Sequence, residues 1–264
     1  MDQNTNTLSF SNILKQAISV IKKSGIRNST LSSASGSARA LFAALLAKDI
    51  EKPVLIVVES YELAEQTLQD LKFFLADSTI GFFPHWDTIP YDNQSPSKDV
   101  LALRFETLAG ILKSQYPVVV TTPNALIQYI MPGREFLNNS FQLIEGDSYN
   151  REELLQKLVQ NGFTRVEMVE EKGEFAVRGE IIDIYPISEE NPVRLDFFDE
   201  ELESLKSFDI ESQRSNEKKS SLIIYPAQEV IFSDTASKNA VERLRDYKAN
   251  TVPQTYSYML EQIQ

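Results

Sequence analysis

Apolar residues along the first half of the chain alternate between helical and strand spacing. Phe10, Ile13, Ala17 and Ile21 space out an amphipathic helix, and Pro53-Val54-Leu55-Ile56-Val57-Val58 reads as a fully buried strand. Ser60 is placed to cap a helix running to about Leu75, with Leu63, Leu68, Leu71 and Leu75 on or near one face. Ile80-Gly81-Phe82-Phe83 predicts a second strand, followed by a loop rich in Asp, Pro and Ser from Pro84 to Pro96. Leu101, Phe105, Leu108 and Leu112 form one stripe of a further helix, and Pro117-Val118-Val119-Val120-Thr121 a third strand. Apolar strands separated by helices predict the α/β class, with a parallel sheet covered on both faces.

The pattern changes after Asn124. A short helix reaches Tyr129 and is broken at Met131-Pro132-Gly133. Phe141 to Ile144 reads as a strand, and Arg151 to Gln160 as a helix with Gly162 near its C′ position. Thr164 to Val169, Glu174 to Arg178, Ile181 to Tyr185, Val193 to Phe198 and Glu203 to Phe208 are short strand-like segments divided by turn formers. Pairing in sequence order predicts an antiparallel sheet with a helix on one side. A polar link, a strand Leu222-Ile223-Ile224-Tyr225 and a helix from about Ala236 to Lys248 follow.

Charge narrows the function classes. Acids outnumber bases 38 to 26, a net charge of −12, and no basic run exceeds the pairs Lys22-Lys23 and Lys218-Lys219. A protein held to nucleic acid by phosphate contacts concentrates Lys and Arg on one face, so direct DNA binding is not the expected role. The absence of cysteine excludes disulfides and thiolate metal sites and fits a reducing cytoplasm. The opening MDQNTNTLSF has neither the basic nor the apolar region of a signal peptide, and no apolar run approaches the roughly 20 residues of a membrane span. The closing SYMLEQIQ carries no stop signal, which fits a natural end and a segment of a longer chain equally.

Catalytic signatures are missing. One histidine, His85, rules out a His pair for a metal, and no motif sets a Ser or carboxylate beside it as a catalytic partner. The run Asp196-Phe197-Phe198-Asp199-Glu200-Glu201 fits a hairpin with a solvated acidic tip better than a cation site. A phosphate-binding loop, if present, falls at Leu31-Ser32-Ser33-Ala34-Ser35-Gly36-Ser37-Ala38-Arg39. Only Gly36 occupies a motif glycine position. Ser37-Ala38 stand where Lys and Ser/Thr are needed to reach phosphate and magnesium, and Arg39 comes too late to replace the lysine. No catalytic residue, cofactor or metal is expected.

Three segments carry a family likeness. Phe82-Phe83-Pro84-His85-Trp86-Asp87-Thr88-Ile89-Pro90-Tyr91-Asp92 with Ser95-Pro96 is the first. Gly173 to Pro186 and Val193 to Leu205, followed by Phe208-Asp209 and Ser212-Gln213-Arg214, are the others. In order and spacing they resemble bacterial transcription-repair coupling factors (Mfd) and, more loosely, UvrB. UvrB would keep an intact phosphate loop at Gly36, which favours the coupling factors. The resemblance implies a degenerate RecA-like domain over residues 1–124, an inserted α+β domain over 125–210 that docks on UvrA, and the start of a third UvrB-like domain over 211–264. It also implies a longer parent protein, an ATP-dependent DNA translocase. That parent's other domains meet RNA polymerase and DNA, and its carboxy-terminal domain covers the UvrA-docking face. The alternative is a nucleotide- or DNA-binding domain of a UvrB-like or helicase-like ATPase.

Period-two alternation predicts the docking face. It sets Arg165 and Glu167 opposite Val166 and Met168, and Arg178 with Ala176 opposite Phe175 and Val177. It also turns Asp183 and Tyr185 outward, opposite Ile182 and Ile184. Arg165, Arg178 and Tyr185 would then share an exposed surface, with Gly179 open to close approach. Alternation alone leaves open whether both arginines merely pair with Glu167, Glu174 or Glu180; the resemblance assigns them to UvrA. Phe83, His85, Trp86 and Tyr91 are expected to pack between domains.

Overall fold

The computed structural model describes residues 10–24, 28, 30, 32, 36–50, 52–76, 79–88, 95–231, 238 and 240–243. The chain divides between Tyr129 and Ile130 into two units, each with its own fold. The architecture is mixed α/β, with one parallel sheet and two antiparallel or largely antiparallel ones.

The first unit runs α1 (Phe10–Ser24), α2 (Ala38–Ile50), β1 (Val54–Val57), α3 (Tyr61–Phe74), β2 (Ile80–Phe83), α4 (Lys98–Leu112), β3 (Val118–Thr121) and α5 (Pro123–Leu126). The strands form a parallel sheet in the order β1-β3-β2. Ser60 caps α3, its hydroxyl accepting from the Leu63 N–H at 3.2 Å. Ala40, Ala43 and Ala47 of α2 and Ala64 and Leu71 of α3 close on Val118 and Val120 of the central strand. Small side chains let the two helices lie near each other and near the sheet. α4 covers the opposite face, where the Thr107 hydroxyl donates to the Phe82 carbonyl and Tyr116 lies against Gly81.

Two expectations change here. β1 is not fully buried: it lies at the sheet edge, and Leu55 and Val57 face the α4 side while α4 packs chiefly along β2. β3 is the buried strand, flanked on both sides. In α1 the buried row is Leu14 and Ile18, whereas Ile13 is exposed, because only contact with α2 decides which side of a broad apolar stripe turns inward.

The second unit begins with α6 (Gly133–Asn139), in the stretch read as a helix break. Pro132 is the residue before the first turn, where its missing N–H costs nothing. β4 (Phe141–Ile144) pairs antiparallel with β11 (Ser221–Ile224). Between them lie α7 (Arg151–Gln160), β5 (Thr164–Arg165), β6 (Glu174–Arg178), β7 (Ile181–Ile184), β8 (Val193–Phe198), β9 (Glu201–Phe208) and β10 (Ser215–Lys219). The last six make one sheet in the order β10-β9-β8-β7-β6-β5. β10 is polar throughout, so it carries no hydrophobic signature, and this suits an edge strand. β5 is only two residues long and runs parallel to β6, so the sheet is not wholly antiparallel. Gly162 follows α7 at φ +84 as the C′ residue.

Phe175, Ile182, Ile184, Val193, Leu195, Leu202 and Leu205 are buried on one face of this sheet, and α7 adds buried Leu154 and Leu158. Asn161, fully buried, donates to the Asn139 carbonyl at 2.6 Å and accepts at its own carbonyl from Ala227. It ties the ends of α6 and α7 to the chain beyond β11. The helix expected from Ala236 to Lys248 lies largely outside the described residues.

Gly110 of α4 leaves room for the Tyr116 ring, since a Cβ there would lie 2.0 Å from a ring carbon. Despite the gain in helix propensity, Gly110→Ala is expected to destabilise the first unit by about 1–3 kcal/mol in urea unfolding. Unchanged stability would mean the ring moves aside freely.

Candidate protein-docking site

β7 is central in the six-stranded sheet, so any side chain at its middle is buried unless its face of the sheet is open. Asp183 occupies that middle. It stands in register with Ala176 of β6 and Arg194 of β8. Its carboxylate accepts from Arg194 Nε at 2.7 Å and from the second guanidinium nitrogen at 2.9 Å, a bidentate pair. The Arg178 guanidinium approaches the same carboxylate at 3.8 Å. Asp183 is the first cause of the upward shift of the Arg194 guanidinium from its ordinary value, and burial opposes it. Arg194 also lies over the Phe208 ring, 4.7 Å from its centroid.

Asp183 therefore does not point into solvent as alternation predicts; it is 1% exposed. Tyr185 is buried too, in a cluster with Val169 and Ala176 flanked by Val166 and Ile210, and its hydroxyl donates to the Glu190 carbonyl at 2.8 Å. Alternation is obeyed in both cases. What it omits is that the segment Val166–Gly173 and Ile210 cover this second face.

Arg178 ends β6 opposite Ile181, with Gly179-Glu180 as the turn. Gly179 adopts φ +58 with open space where a Cβ would stand, and its carbonyl accepts from the Arg151 guanidinium. The Arg178 side chain stays 48% exposed. Arg165 and Glu167 are exposed, but Arg165 stands in register with Phe175, on the opposite side of the sheet from Arg178. The arginines are not side by side. Neither finds the glutamates offered by sequence: Arg178 meets Asp183, Glu174 caps the N–H groups of Glu170 and Glu171, and Arg165 has no ion partner among the described residues. Periodicity does not single out Arg194. Its only sequence signal is an opposite charge at an outward position of the preceding strand.

At the suspected phosphate loop, Gly36 is exposed at φ +53 and Arg39 is exposed in the first turn of α2. The Ser37 hydroxyl donates to the Asp70 carboxylate at 2.9 Å. An acidic side chain from α3 thus stands at the α2 N-terminus, where a phosphate would need the positive end of the helix. Ser33 to Ser35 lie outside the described residues. His85 Nδ1 lies 3.3 Å from the Thr122 hydroxyl, which is already engaged as the cap of α5. Phe83 and Trp86 pack about Arg104, which is fully buried and donates to the Pro84 carbonyl at 2.7 Å; Tyr91 lies outside the described residues. Among the described residues no group of His, Cys, Asp and Glu is arranged for a metal, and no helix is long and apolar enough to cross a membrane.

Residues 141–230, the span from β4 to just beyond β11 that holds the whole six-stranded sheet, match the family described as the UvrB interaction domain. The second unit thus contains a UvrB interaction domain. Over 83% of its length the chain is 34% identical to the transcription-repair-coupling factor of Bacillus subtilis, and over 82% it is 31% identical to that of Escherichia coli. The chain belongs to the transcription-repair-coupling factor family and spans about a fifth of the length of these relatives.

Asp183→Ala would leave Arg194 without its bidentate partner in a partly buried setting. The second unit is expected to lose about 3 kcal/mol of stability, read from its thermal or urea unfolding. A loss below about 1 kcal/mol, the value of an exposed pair, would show that the carboxylate does not organise this face.

Proposed function

We propose that this chain is a non-catalytic docking module from the amino-terminal part of a transcription-repair coupling factor, and that its second unit binds UvrA. In this reading the parent protein brings UvrA to RNA polymerase stalled at DNA damage, in the cytoplasm. The observation that carries the proposal is the UvrB interaction domain match falling on a sheet whose Arg178 is exposed at an open turn and anchored from beneath by Asp183. Arg178 and the Gly179 turn make direct contact. Asp183 holds that surface from below, Tyr185 packs further along the same face, and Arg165 with Glu167 would meet the partner at the β5 edge, Arg165 facing the other side of the sheet.

The first unit is proposed to be a degenerate RecA-like domain, with residues 1–124, 125–210 and 211–264 as the three UvrB-like regions. Ser37 in place of a lysine, and Asp70 beside it, support the loss of nucleotide binding. The acidic balance of the chain argues against DNA as its direct ligand. Contact with the carboxy-terminal domain of the parent would cover the same docking face until UvrA is needed.

Calorimetric titration with UvrA from the same organism tests the binding half. Arg178→Ala is expected to weaken binding about thirtyfold, the usual effect of removing a central arginine. Equal affinity in that variant and the unaltered chain would remove Arg178 from the site. Addition of ATP and magnesium is expected to leave the thermal midpoint of the isolated chain unchanged; a rise would restore the reading of an ATP-binding domain.

A further inference from the structure

β8 alternates cleanly between buried and outward positions: Val193, Leu195 and Phe197 point into the core, and Arg194, Asp196 and Phe198 point away. Two of the three outward side chains are committed within the sheet. Arg194 is held by Asp183, and Asp196 accepts from the Ser204 hydroxyl at 2.7 Å and the Lys206 ammonium at 3.3 Å. Phe198 is 68% exposed at the end of the strand, although its neighbour Phe197 already supplies the aromatic that the core requires.

The register shows what Phe198 adjoins. Arg178 stands opposite Ile181, and Ile181 opposite Asp196, so these three form one row across β6, β7 and β8 on a single face. Phe198 lies two residues further along β8 and therefore on that same face, toward the Gly179-Glu180 turn. The Phe197 N–H donates to the Glu180 carbonyl at 3.1 Å, which fixes the end of β8 against that turn. Strand geometry puts the Cα atoms of Arg178 and Phe198 roughly 12 Å apart, a separation that one interface core spans. Between them are half-buried Ile181 and the open Gly179 turn.

We propose that Phe198 is the apolar anchor of the docking face, entering an apolar pocket on UvrA beside a carboxylate that takes the Arg178 guanidinium. The proposal rests on the reading that this face binds UvrA. A guanidinium and an exposed aromatic, carried on neighbouring turns of a rigid sheet, recognise a partner site that pairs an acid with an apolar recess. The 3.8 Å approach of Arg178 to Asp183 is loose enough to be exchanged for a carboxylate on the partner, while Asp183 keeps Arg194.

Titration of the whole chain with UvrA distinguishes the possibilities. Phe198→Ala is expected to raise Kd at least tenfold with no drop in thermal midpoint, because the side chain is exposed, and Phe198→Tyr is expected to retain most of the affinity. Phe198→Ala keeps the salt dependence of Kd and makes the heat-capacity change of binding less negative, whereas Arg178→Ala flattens the salt dependence. Unchanged affinity in Phe198→Ala with weakened Arg178→Ala would overturn the anchor and leave the docking reading standing. No binding by the unaltered chain would bring down that reading and the anchor with it.

Discussion

The second unit is organised around one buried carboxylate. Asp183 sits in the middle of a central strand, where an uncompensated charge would unfold the sheet, and bidentate pairing with Arg194 offsets the loss of water. That pairing joins β7 to β8 at a defined register, because a slip of one residue would send Asp183 into the apolar face beside Ile182 and Ile184. It also decides what is left for the surface. With Arg194 engaged, the Arg178 guanidinium on the same face is left about half in solvent.

The same sheet shows how stability and docking are separated along its strands. Toward one end, Val166 and Val169 close over Ala176 and Tyr185, so that half of the polar face becomes a small second core. Toward the other end lie the turns at Gly179-Glu180 and Asp199-Glu200, where the Tyr149 N–H donates to the Glu200 carbonyl while Arg178 and Phe198 stay exposed. The turns are nevertheless well held. Arg151 of α7 donates to Gly179, and Phe197 donates to Glu180. A surface fixed in this way loses little conformational freedom on binding, which favours affinity without a large contact area.

In the first unit, polar groups near the strand ends and helix termini are used internally. Ser37 bonds to Asp70, Thr122 caps a helix, and the guanidinium of Arg104 is consumed by the Pro84 carbonyl and the faces of Phe83 and Trp86. In the proposed function the first unit is a scaffold whose polar groups serve its own structure.

Much was legible in the residues alone. Ser60 as a cap, Gly162 at C′, the three apolar strands and the order of β6 to β9 follow from local rules: capping geometry, left-handed glycine and period-two alternation. The missing lysine after Gly36 and the acidic balance are likewise properties of the sequence itself, and they pointed away from catalysis and from DNA. Tertiary structure decided which faces are covered. Alternation states that Asp183 and Tyr185 share a side, but only Arg194 and the segment folding back from β5 bury them. It likewise cannot show that parallel pairing of a two-residue strand sets Arg165 and Arg178 on opposite sides. Side-chain direction is encoded by the neighbours along a strand; exposure is decided by chain that arrives from elsewhere.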